Sequence, residues 1–217
     1  MRFVAEGCEI EARIEHLVVA GWTGRDNGAV RHHIEELAAL GVAPPSQVPL
    51  FYRVSRSLLV QAPRIEVLGP DTSGEVEPLL VNLDGTLWLG LGSDHTDRQL
   101  ETVSVAASKQ ACPKPVSPML WRFDTVAPHL DRLILSCEIR ENGEWTLYQE
   151  GTLAMIRPLG DLVAQSGLDT GGAMLCGTLG AIGGVRPASD YRMQLRDPVL
   201  ERSLYLEYRA SALPVVA

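Results

Sequence analysis

Two short turn signals constrain the fold of this chain more than any other feature. Asn142-Gly143 separates two strand-like runs, 133–141 and 145–156, and Asp84-Gly85 lies between two leucine-rich runs. Asparagine or aspartate followed by glycine is the strongest short-range signal for a two-residue β-hairpin turn. We therefore expect at least two antiparallel hairpins and a chain that is largely β.

Helical periodicity is strong in only one segment. Apolar residues recur at helical spacing over 30–38, between an N-cap signal at Asp26-Asn27 and a stop at Gly41. A shorter helix is expected over 159–167, after a proline. Because strands do not alternate regularly with helices, a doubly wound parallel sheet is disfavoured. The pattern predicts a mainly β (α+β) chain with few helices.

Composition excludes several classes of protein. Of 217 residues, 46% are hydrophobic and 21% charged, which suits a single domain over 1–217. A net charge of −8 argues against a nucleic-acid partner, because such binding relies on lysine and arginine. The sequence contains neither a secretory signal pattern nor a run of about 18 apolar residues, so we expect no membrane association. Four widely spaced cysteines favour free thiols and a cytoplasmic location.

Glu75, Glu77 and Asp94 are candidate metal ligands. Two residues apart on a strand, the carboxylates of Glu75 and Glu77 leave the same face and repel unless a cation or protons intervene. Asp94 follows the next hairpin and can complete a set of three oxygen ligands, which suits Mg²⁺, Mn²⁺ or Ca²⁺. The alternative is a solvated edge strand before Pro78 that holds no metal.

His33 and Glu36 are candidates for acid–base chemistry. They lie one helical turn apart, close enough for a hydrogen bond or for sharing one water molecule. An imidazole titrates near neutral pH and therefore suits the activation of water. The alternative is a boundary histidine beside a surface glutamate.

A glycine-rich turn spans residues 177–184. Its backbone N–H groups at Gly177 and onward, with the hydroxyl of Thr178, can approach an anion. The turn is not a P-loop, because the Gly-Lys-Ser/Thr ending and the following helix pattern are absent. The sequence also lacks the G-x-S-x-G elbow of serine hydrolases.

The order of these motifs resembles the fumarylacetoacetate hydrolase superfamily over about 21–208. That family carries a His-x-x-Glu pair, a segment of the Leu-Phe-x-Lys-x-x-Ser type, a Glu-x-Glu pair, an Asp-x-Thr-x-Arg-Asp segment, a lysine segment ending in Cys-Pro-x-x-x-Pro, an Asn-Gly-Glu turn before a strand ending in Met-Ile, and a late Gly-Thr-Pro-x-Gly turn. The matching segments are His33-Ile34-Glu35-Glu36, Leu50-Phe51 to Ser57, Glu75-Val76-Glu77, Asp94-His95-Thr96-Asp97-Arg98, Lys109 to Cys112-Pro113 and Pro118, Arg140 to Met155-Ile156, and Gly177-Thr178-Leu179-Gly180 with Arg186-Pro187. Leu179 replaces the usual proline, and Lys109 stands closer to Cys112 than in the family pattern. The chain thus resembles a divergent branch.

The resemblance implies a fold and a set of residue roles. The fold would be a mixed β-roll or sandwich, with strands and a lid-like helix in 1–68 and the β-roll with its metal site in 69–217. A divalent cation, Mg²⁺ or Mn²⁺ with Ca²⁺ as an alternative, would be the cofactor. The implied roles are metal ligation by Glu75, Glu77 and Asp94, substrate binding by Arg98, Gly177 and Thr178, and catalysis by His33, Glu36 and Lys109.

The resemblance also implies an activity. We expect a metal-dependent hydrolase that cleaves a C–C bond in a small acylpyruvate, β-diketo or 2-oxo acid through an enolate stabilised by the cation. The first alternative is a lyase, decarboxylase, hydratase or isomerase of 2-oxo acids, because one scaffold supports all these reactions. The second is a binding protein that kept the fold and lost turnover. The expected partners are a small carboxylic acid substrate and a second copy in a homodimer.

Overall fold

The computed structural model describes residues 1–39 and 43–216, without the side chains of residues 33, 36 and 37. The strands in these residues are β1 (Arg2–Ala5), β2 (Cys8–Glu11), β3 (His16–Gly21), β4 (Leu50–Val54), β5 (Leu59–Val60), β6 (Arg64–Leu68), β7 (Thr72–Ser73), β8 (Val76–Leu83), β9 (Thr86–Ser93), β10 (Thr96–Asp97), β11 (Lys114–Pro115), β12 (Met119–Arg122), β13 (Ile134–Glu141), β14 (Glu144–Thr152), β15 (Gly172–Leu175), β16 (Asp190–Asp197) and β17 (Arg202–Leu213). The helices are α1 (Asn27–Ala39), α2 (Arg98–Glu101), α3 (Val105–Ala111), α4 (Phe123–Val126) and α5 (Leu159–Ser166), with 3₁₀ turns at Arg56–Leu58, Ala127–Arg132 and Leu153–Met155.

Most strands belong to two sheets. The larger sheet has eight strands in the order β2-β1-β12-β9-β8-β15-β3-β4, and the smaller has five in the order β14-β13-β16-β17-β6. Short ladders join β10 to β7 and β11 to β5. The fold is mainly β with few helices, as predicted, and its N-terminal strands lie in the same sheet as β8 and β9. The division into 1–68 and 69–217 stays a prediction.

The central strands of the eight-stranded sheet, β3, β8, β9 and β15, are buried on both faces, which explains their continuous apolar runs. Leu80 belongs to the core cluster between the two sheets, whereas its neighbour Leu79 belongs to a second cluster on the opposite face. This second cluster includes residues from both ends of the sheet, such as Phe3 of β1 and Val54 of β4. Gln61, which follows β5, exchanges two hydrogen bonds through its side chain with the backbone of Arg2 on β1. The segment after β4 is therefore joined to the first strand of the chain.

The predicted turns are confirmed. Asp84-Gly85 and Asn142-Gly143 both close hairpins with positive φ at each of the two turn residues, the conformation that favours these residue types. Helix α1 begins as predicted, where Asp26 Oδ1 accepts hydrogen bonds from the N–H groups of Gly28 and Ala29. Helix α5 ends at Gly167 in the left-handed conformation. No helix within the described residues is long and apolar enough to cross a bilayer.

Candidate metal centre

The topology of the large sheet brings the predicted acidic residues to one edge. Strands β8 and β9 are antiparallel and pair Val76 with Ser93, so the start of β8 lies beside the end of β9. Glu75 immediately precedes β8 and Asp94 immediately follows β9, and the Asp94 N–H donates to the Glu75 carbonyl at 3.0 Å. Residues separated by a whole hairpin therefore become neighbours.

The three carboxylates form one compact cluster. One oxygen each from Glu75, Glu77 and Asp94 can be chosen so that all three atoms lie within 4.8 Å of one another. Asp94 is completely buried, Glu77 is 2% exposed and the Glu75 side chain is 15% exposed. Carboxylates this deep need a compensating cation, because burying an unpaired charge costs several kcal/mol. Solvent reaches the cluster mainly on the side of Glu75.

Three cationic side chains surround the cluster. Lys109 from α3 makes a short hydrogen bond to Asp94 Oδ2, and Lys114 from β11 lies 3.0 Å from Asp94 Oδ1. Arg98, at the start of α2, lies 3.2 Å from Glu75 Oε1 and donates to Glu101 Oε2 at 2.8 Å. The cluster is therefore balanced by buried ammonium and guanidinium groups.

The two most buried acids, Glu77 and Asp94, have pKa values that are shifted in opposite directions. Burial raises the pKa of Glu77 well above its ordinary value, and the nearby Asp94 carboxylate raises it further. Burial would also raise the pKa of Asp94, but Lys109 and Lys114 outweigh it and hold that pKa well below the ordinary value. Burial lowers the pKa of Lys109, yet Asp94 and the two glutamates reverse this and raise it overall. Asp94 is thus the fixed anionic member of the cluster.

The glycine-rich turn holds the cluster from the other side. The Gly177 N–H donates to Glu77 Oε2 at 2.8 Å, and the Thr178 hydroxyl donates to the Val76 carbonyl at 2.8 Å. Gln149, fully buried on β14, accepts from the Val76 N–H and donates to Thr178 Oγ1. In this arrangement Gly177 and Thr178 orient the start of β8. Their predicted role in substrate binding stays a prediction.

A second buried network fixes the loop that carries Asp94. The His95 ring is fully buried, with Nδ1 at 2.9 Å from the Tyr208 hydroxyl and Nε2 at 2.9 Å from Thr72 Oγ1. Tyr208 also lies 2.9 Å from Ser93 Oγ. Burial and the charge of Lys114 lower the pKa of His95 to about 3, so the ring is neutral at physiological pH. Both neighbours of Asp94 along the chain are therefore held through side chains.

Of the three predicted catalytic residues, the structure describes the side chain of Lys109 but not those of His33 and Glu36. Lys109 reaches the cluster, as described above, although its spacing from Cys112 departs from the family pattern. The backbone at His33 and Glu36 belongs to α1, but their side chains lie outside the described residues. Their proposed action on water stays a prediction. Helix α1 is anchored at its start, where Arg157 Nη2 donates to Asn27 Oδ1 at 2.6 Å.

The sequence patterns did not predict a role for three residues of the site: Lys114, His95 and Gln149. A signal for Lys114 was available, because 17 of the 19 basic residues are arginine and both lysines of the chain contact Asp94. His95 lies inside the quoted segment Asp94 to Arg98, but nothing in its spacing marks a buried ring. Gln149 lies among ordinary strand residues, and its role depends on contacts with residues far away in sequence.

The donor set fits a divalent cation. Three carboxylates within a few ångströms are the ligands that Mg²⁺, Mn²⁺ and Ca²⁺ prefer. Asp94 Oδ1 is buried and forms an ion pair with the Lys114 ammonium at 3.0 Å, and it accepts no further hydrogen bond among the described residues. An oxygen in this condition has lone pairs left for a ligand. Glu75, Glu77 and Asp94 could therefore hold one divalent cation together.

Comparison with solved structures places the fold. Cg1458 with inhibitor has a TM-score of 0.67 at 13% identity, covering 96% of this chain and 84% of that one. The 2-keto-3-deoxy-D-arabinonate dehydratase complexed with magnesium and 2,5-dioxopentanoate has a TM-score of 0.62 at 13% identity, covering 93% and 75%. The 4-oxalocrotonate decarboxylase from Pseudomonas putida G7, complexed with calcium and acetate, has a TM-score of 0.55 at 14% identity, covering 89% and 76%.

These neighbours are members of the fumarylacetoacetate hydrolase superfamily, so the likeness in fold that the motif order suggested is confirmed. A comparison with curated protein sequences finds no match. A family model described as "Protein of unknown function (DUF2848)" matches residues 20–208, which is most of the chain. This protein belongs to the DUF2848 family, and its fold resembles that of the fumarylacetoacetate hydrolase superfamily.

Proposed function

We propose that this protein is a metal-dependent enzyme that acts on a small 2-oxo acid. The observation that carries the proposal is the buried cluster of Glu75, Glu77 and Asp94, with the Lys109 ammonium held against it. Two neighbours in fold support it, since one is a dehydratase complexed with magnesium and 2,5-dioxopentanoate and another is a decarboxylase complexed with calcium and acetate. The cofactor would be Mg²⁺ or Mn²⁺, with Ca²⁺ as the alternative.

A divalent cation held by the three carboxylates supplies Lewis-acid polarisation of a substrate carbonyl. The chain's own residues prepare the rest of the site. The Gly177 N–H orients Glu77, and Arg98 orients Glu75. The Lys109 ammonium has three donors and uses one on Asp94, which leaves it able to bind a substrate carboxylate or a developing oxyanion.

Within this class we propose hydrolysis of a C–C bond in an acylpyruvate-like acid. The support is the His33-x-x-Glu36 motif on α1, because a histidine–glutamate pair suits the activation of a water molecule. Helix α1 follows β3, whose C-terminal end lies at the same edge of the sheet as the metal cluster. A lyase reaction is the second candidate, and the names of the dehydratase and the decarboxylase favour it.

A screen of substrates tests this proposal. Acylpyruvates, oxaloacetate and 2-oxo-pentenoates are incubated with the protein and Mg²⁺ or Mn²⁺, and the products are identified by mass spectrometry. We expect metal-dependent product formation that Glu77→Gln abolishes and that Glu66→Gln, an exposed control on β6, leaves intact. Cleavage to pyruvate and a carboxylic acid identifies a hydrolase, whereas loss of CO₂ or of water identifies a lyase. Oxalate binding without any turnover would instead identify a non-catalytic binding protein.

We also propose that the protein forms a homodimer through strands of its β-roll. The resemblance to the superfamily supports this assembly, and the sequence adds moderate hydrophobicity and four tryptophans. Light scattering at micromolar concentration should report twice the chain mass of 23.6 kDa. A clean monomer would contradict the proposal.

A further inference from the structure

We propose that Trp22 and Tyr52 form an aromatic wall beside the metal centre and select 2-oxo acids that carry an apolar, planar tail. This inference rests on the proposed function and specifies its substrate class. The aromatic wall is defined here as these two side chains, both half-buried. Trp22 lies outside the motifs that carry the family resemblance, and Tyr52 lies in the segment Leu50-Phe51 to Ser57, to which no role is assigned above.

The sheet topology places the aromatic wall at the edge that carries the metal centre. Strand β15 is parallel to β3 and antiparallel to β8, so the end of β3 lies on the same side as the start of β8. Trp22 immediately follows β3, and Tyr52 lies on the neighbouring strand β4, opposite Val19. The wall and the acidic cluster are therefore separated only by the end of β15 and the turn at Gly177.

A continuous set of contacts joins the aromatic wall to the acids. The Trp22 Nε1–H donates to the Tyr52 hydroxyl at 3.1 Å. The centre of the Tyr52 ring lies 5.8 Å from the Lys109 Nζ, within the range of a cation–π interaction. Lys109 in turn contacts Asp94. The apolar surface of the two rings thus directly adjoins the polar site at Lys109.

Trp22 has a backbone conformation that is energetically unfavourable for tryptophan. Its φ is +62°, in the left-handed region that is unfavourable for a bulky residue. Gly21 and Gly24 lie close on either side, yet the left-handed conformation falls on the tryptophan. Strain of this kind persists where the surrounding structure requires it, and it concentrates at ligand sites.

Close packing around the aromatic wall fixes its position. A Cβ at Gly21 would lie 2.9 Å from Tyr52 Cε2, so glycine there allows the ring to rest against the strand. A Cβ at Gly177 would collide with the Thr23 hydroxyl, so the residue after Trp22 packs directly on the turn whose N–H holds Glu77. The neighbours of Trp22 along the chain therefore pack against Tyr52 on one side and against the turn that holds Glu77 on the other.

This arrangement separates the recognition of the two ends of a substrate. Carboxylates, ammonium groups and backbone N–H donors bind a polar 2-oxo acid head. The accessible part of the two half-buried rings beside them offers an apolar surface that favours stacking with another planar group. Ligand sites commonly combine a few placed polar groups with an apolar lining of this kind.

Isothermal titration calorimetry with Mg²⁺ tests the inference, using oxalate, a mimic of a chelated 2-oxo acid, and 2-oxo acids that lack a cleavable acyl group. The probes are oxalate and pyruvate, which have no apolar tail, and phenylpyruvate and 2-oxo-4-phenylbutanoate, which carry a phenyl group at two distances. We expect the parent protein to bind the better phenyl compound about tenfold more tightly than pyruvate, from burial of the ring. Trp22→Leu and Tyr52→Leu should abolish most of this preference and leave oxalate affinity within about twofold.

Matched variants separate the aromatic wall from general effects. Tyr52→Phe keeps the ring and should keep the preference, whereas Trp145→Leu, which removes a half-buried tryptophan on β14, should change nothing. Equal affinity for pyruvate and both phenyl compounds, or a preference that survives Trp22→Leu and Tyr52→Leu, would overturn the inference while the proposed function stands. Absence of Mg²⁺-dependent oxalate binding by the parent would overturn the proposed function and this inference with it.

Discussion

Replacement of Lys114 by methionine should change stability and metal affinity in opposite directions. Lys114 is completely buried, its Nζ lies 3.0 Å from Asp94 Oδ1, and it donates to the His95 carbonyl. Methionine has nearly the same length and no charge, so Lys114→Met removes the ammonium with little change in volume. Asp94 then keeps Lys109 as its cationic partner.

The magnitude follows from the burial of both groups. Removing one partner of a buried ion pair costs about 3–5 kcal/mol, because the remaining charge is left uncompensated. Lys109 still neutralises part of the Asp94 charge, so we expect the lower end of this range in the absence of metal. A cation at Asp94 would be repelled by Lys114, since unit charges 4 Å apart interact by about 4 kcal/mol at an effective dielectric constant near 20. The variant should therefore bind Mg²⁺ at least about tenfold more tightly.

Two measurements at pH 8 check this expectation. Urea unfolding in EDTA gives the loss of stability, and calorimetric titration with Mg²⁺ gives the gain in affinity. Lys109→Met, which removes the other ammonium on Asp94, serves as the comparison. If Lys114→Met is as stable as the parent protein in EDTA, the ion pair between Lys114 and Asp94 does not contribute to stability. Weaker Mg²⁺ binding by the variant would show that Lys114 shapes the site instead of opposing the cation.

Three further predictions concern other parts of the chain. Gln149→Leu leaves the buried Val76 N–H without its partner and should lower the free energy of unfolding by about 1–3 kcal/mol, measured by urea unfolding. Burial would raise the pKa of Asp197, but hydrogen bonds from His129 and from the Leu200 and Val199 N–H groups together outweigh it and lower that pKa from its ordinary value of 3.8. The stability lost in Asp197→Asn at pH 7 should therefore shrink as the pH falls below about 3.8. His33→Ala should lower turnover by about 10²–10⁴-fold with oxalate binding intact, and unchanged turnover would favour decarboxylation or isomerisation.

Local chemistry explains which features the sequence could predict. The turns at Asp84-Gly85 and Asn142-Gly143 need positive φ at two successive residues, and few residue types provide it, so the sequence marks them clearly. Helix α5 was predicted for a similar reason, since it starts after Pro158 and ends at Gly167. The acidic triad could be anticipated because its members lie at the open end of one hairpin, and only hairpin pairing is needed to bring them together.

Contacts at long range explain what the sequence did not reveal. Helix α3 was missed because its buried residues are Ser108 and Lys109, so the helix turns polar groups inward and shows no apolar periodicity. The Asp97 side chain caps α2, and the Ser104 side chain caps α3. These N-cap signals do not stand out in the sequence because the surrounding segment is polar. The position of Tyr52 near Lys109 depends on the pairing of β3 with β15 and on the packing of α3, neither of which has a local signature.

The place of β15 in the large sheet has a consequence for how the protein is made. Among residues 1–39 and 43–216, backbone pairing in this sheet joins β3 and β4 to β8 and β9 only through β15, which comprises residues 172–175. During synthesis at the ribosome, the segments carrying Trp22 and Glu77 emerge early, but they cannot adopt their final spacing until β15 is available. Pairings this distant in sequence form slowly. A nascent chain that ends before residue 172 therefore lacks β15, the strand that pairs with both β3 and β8.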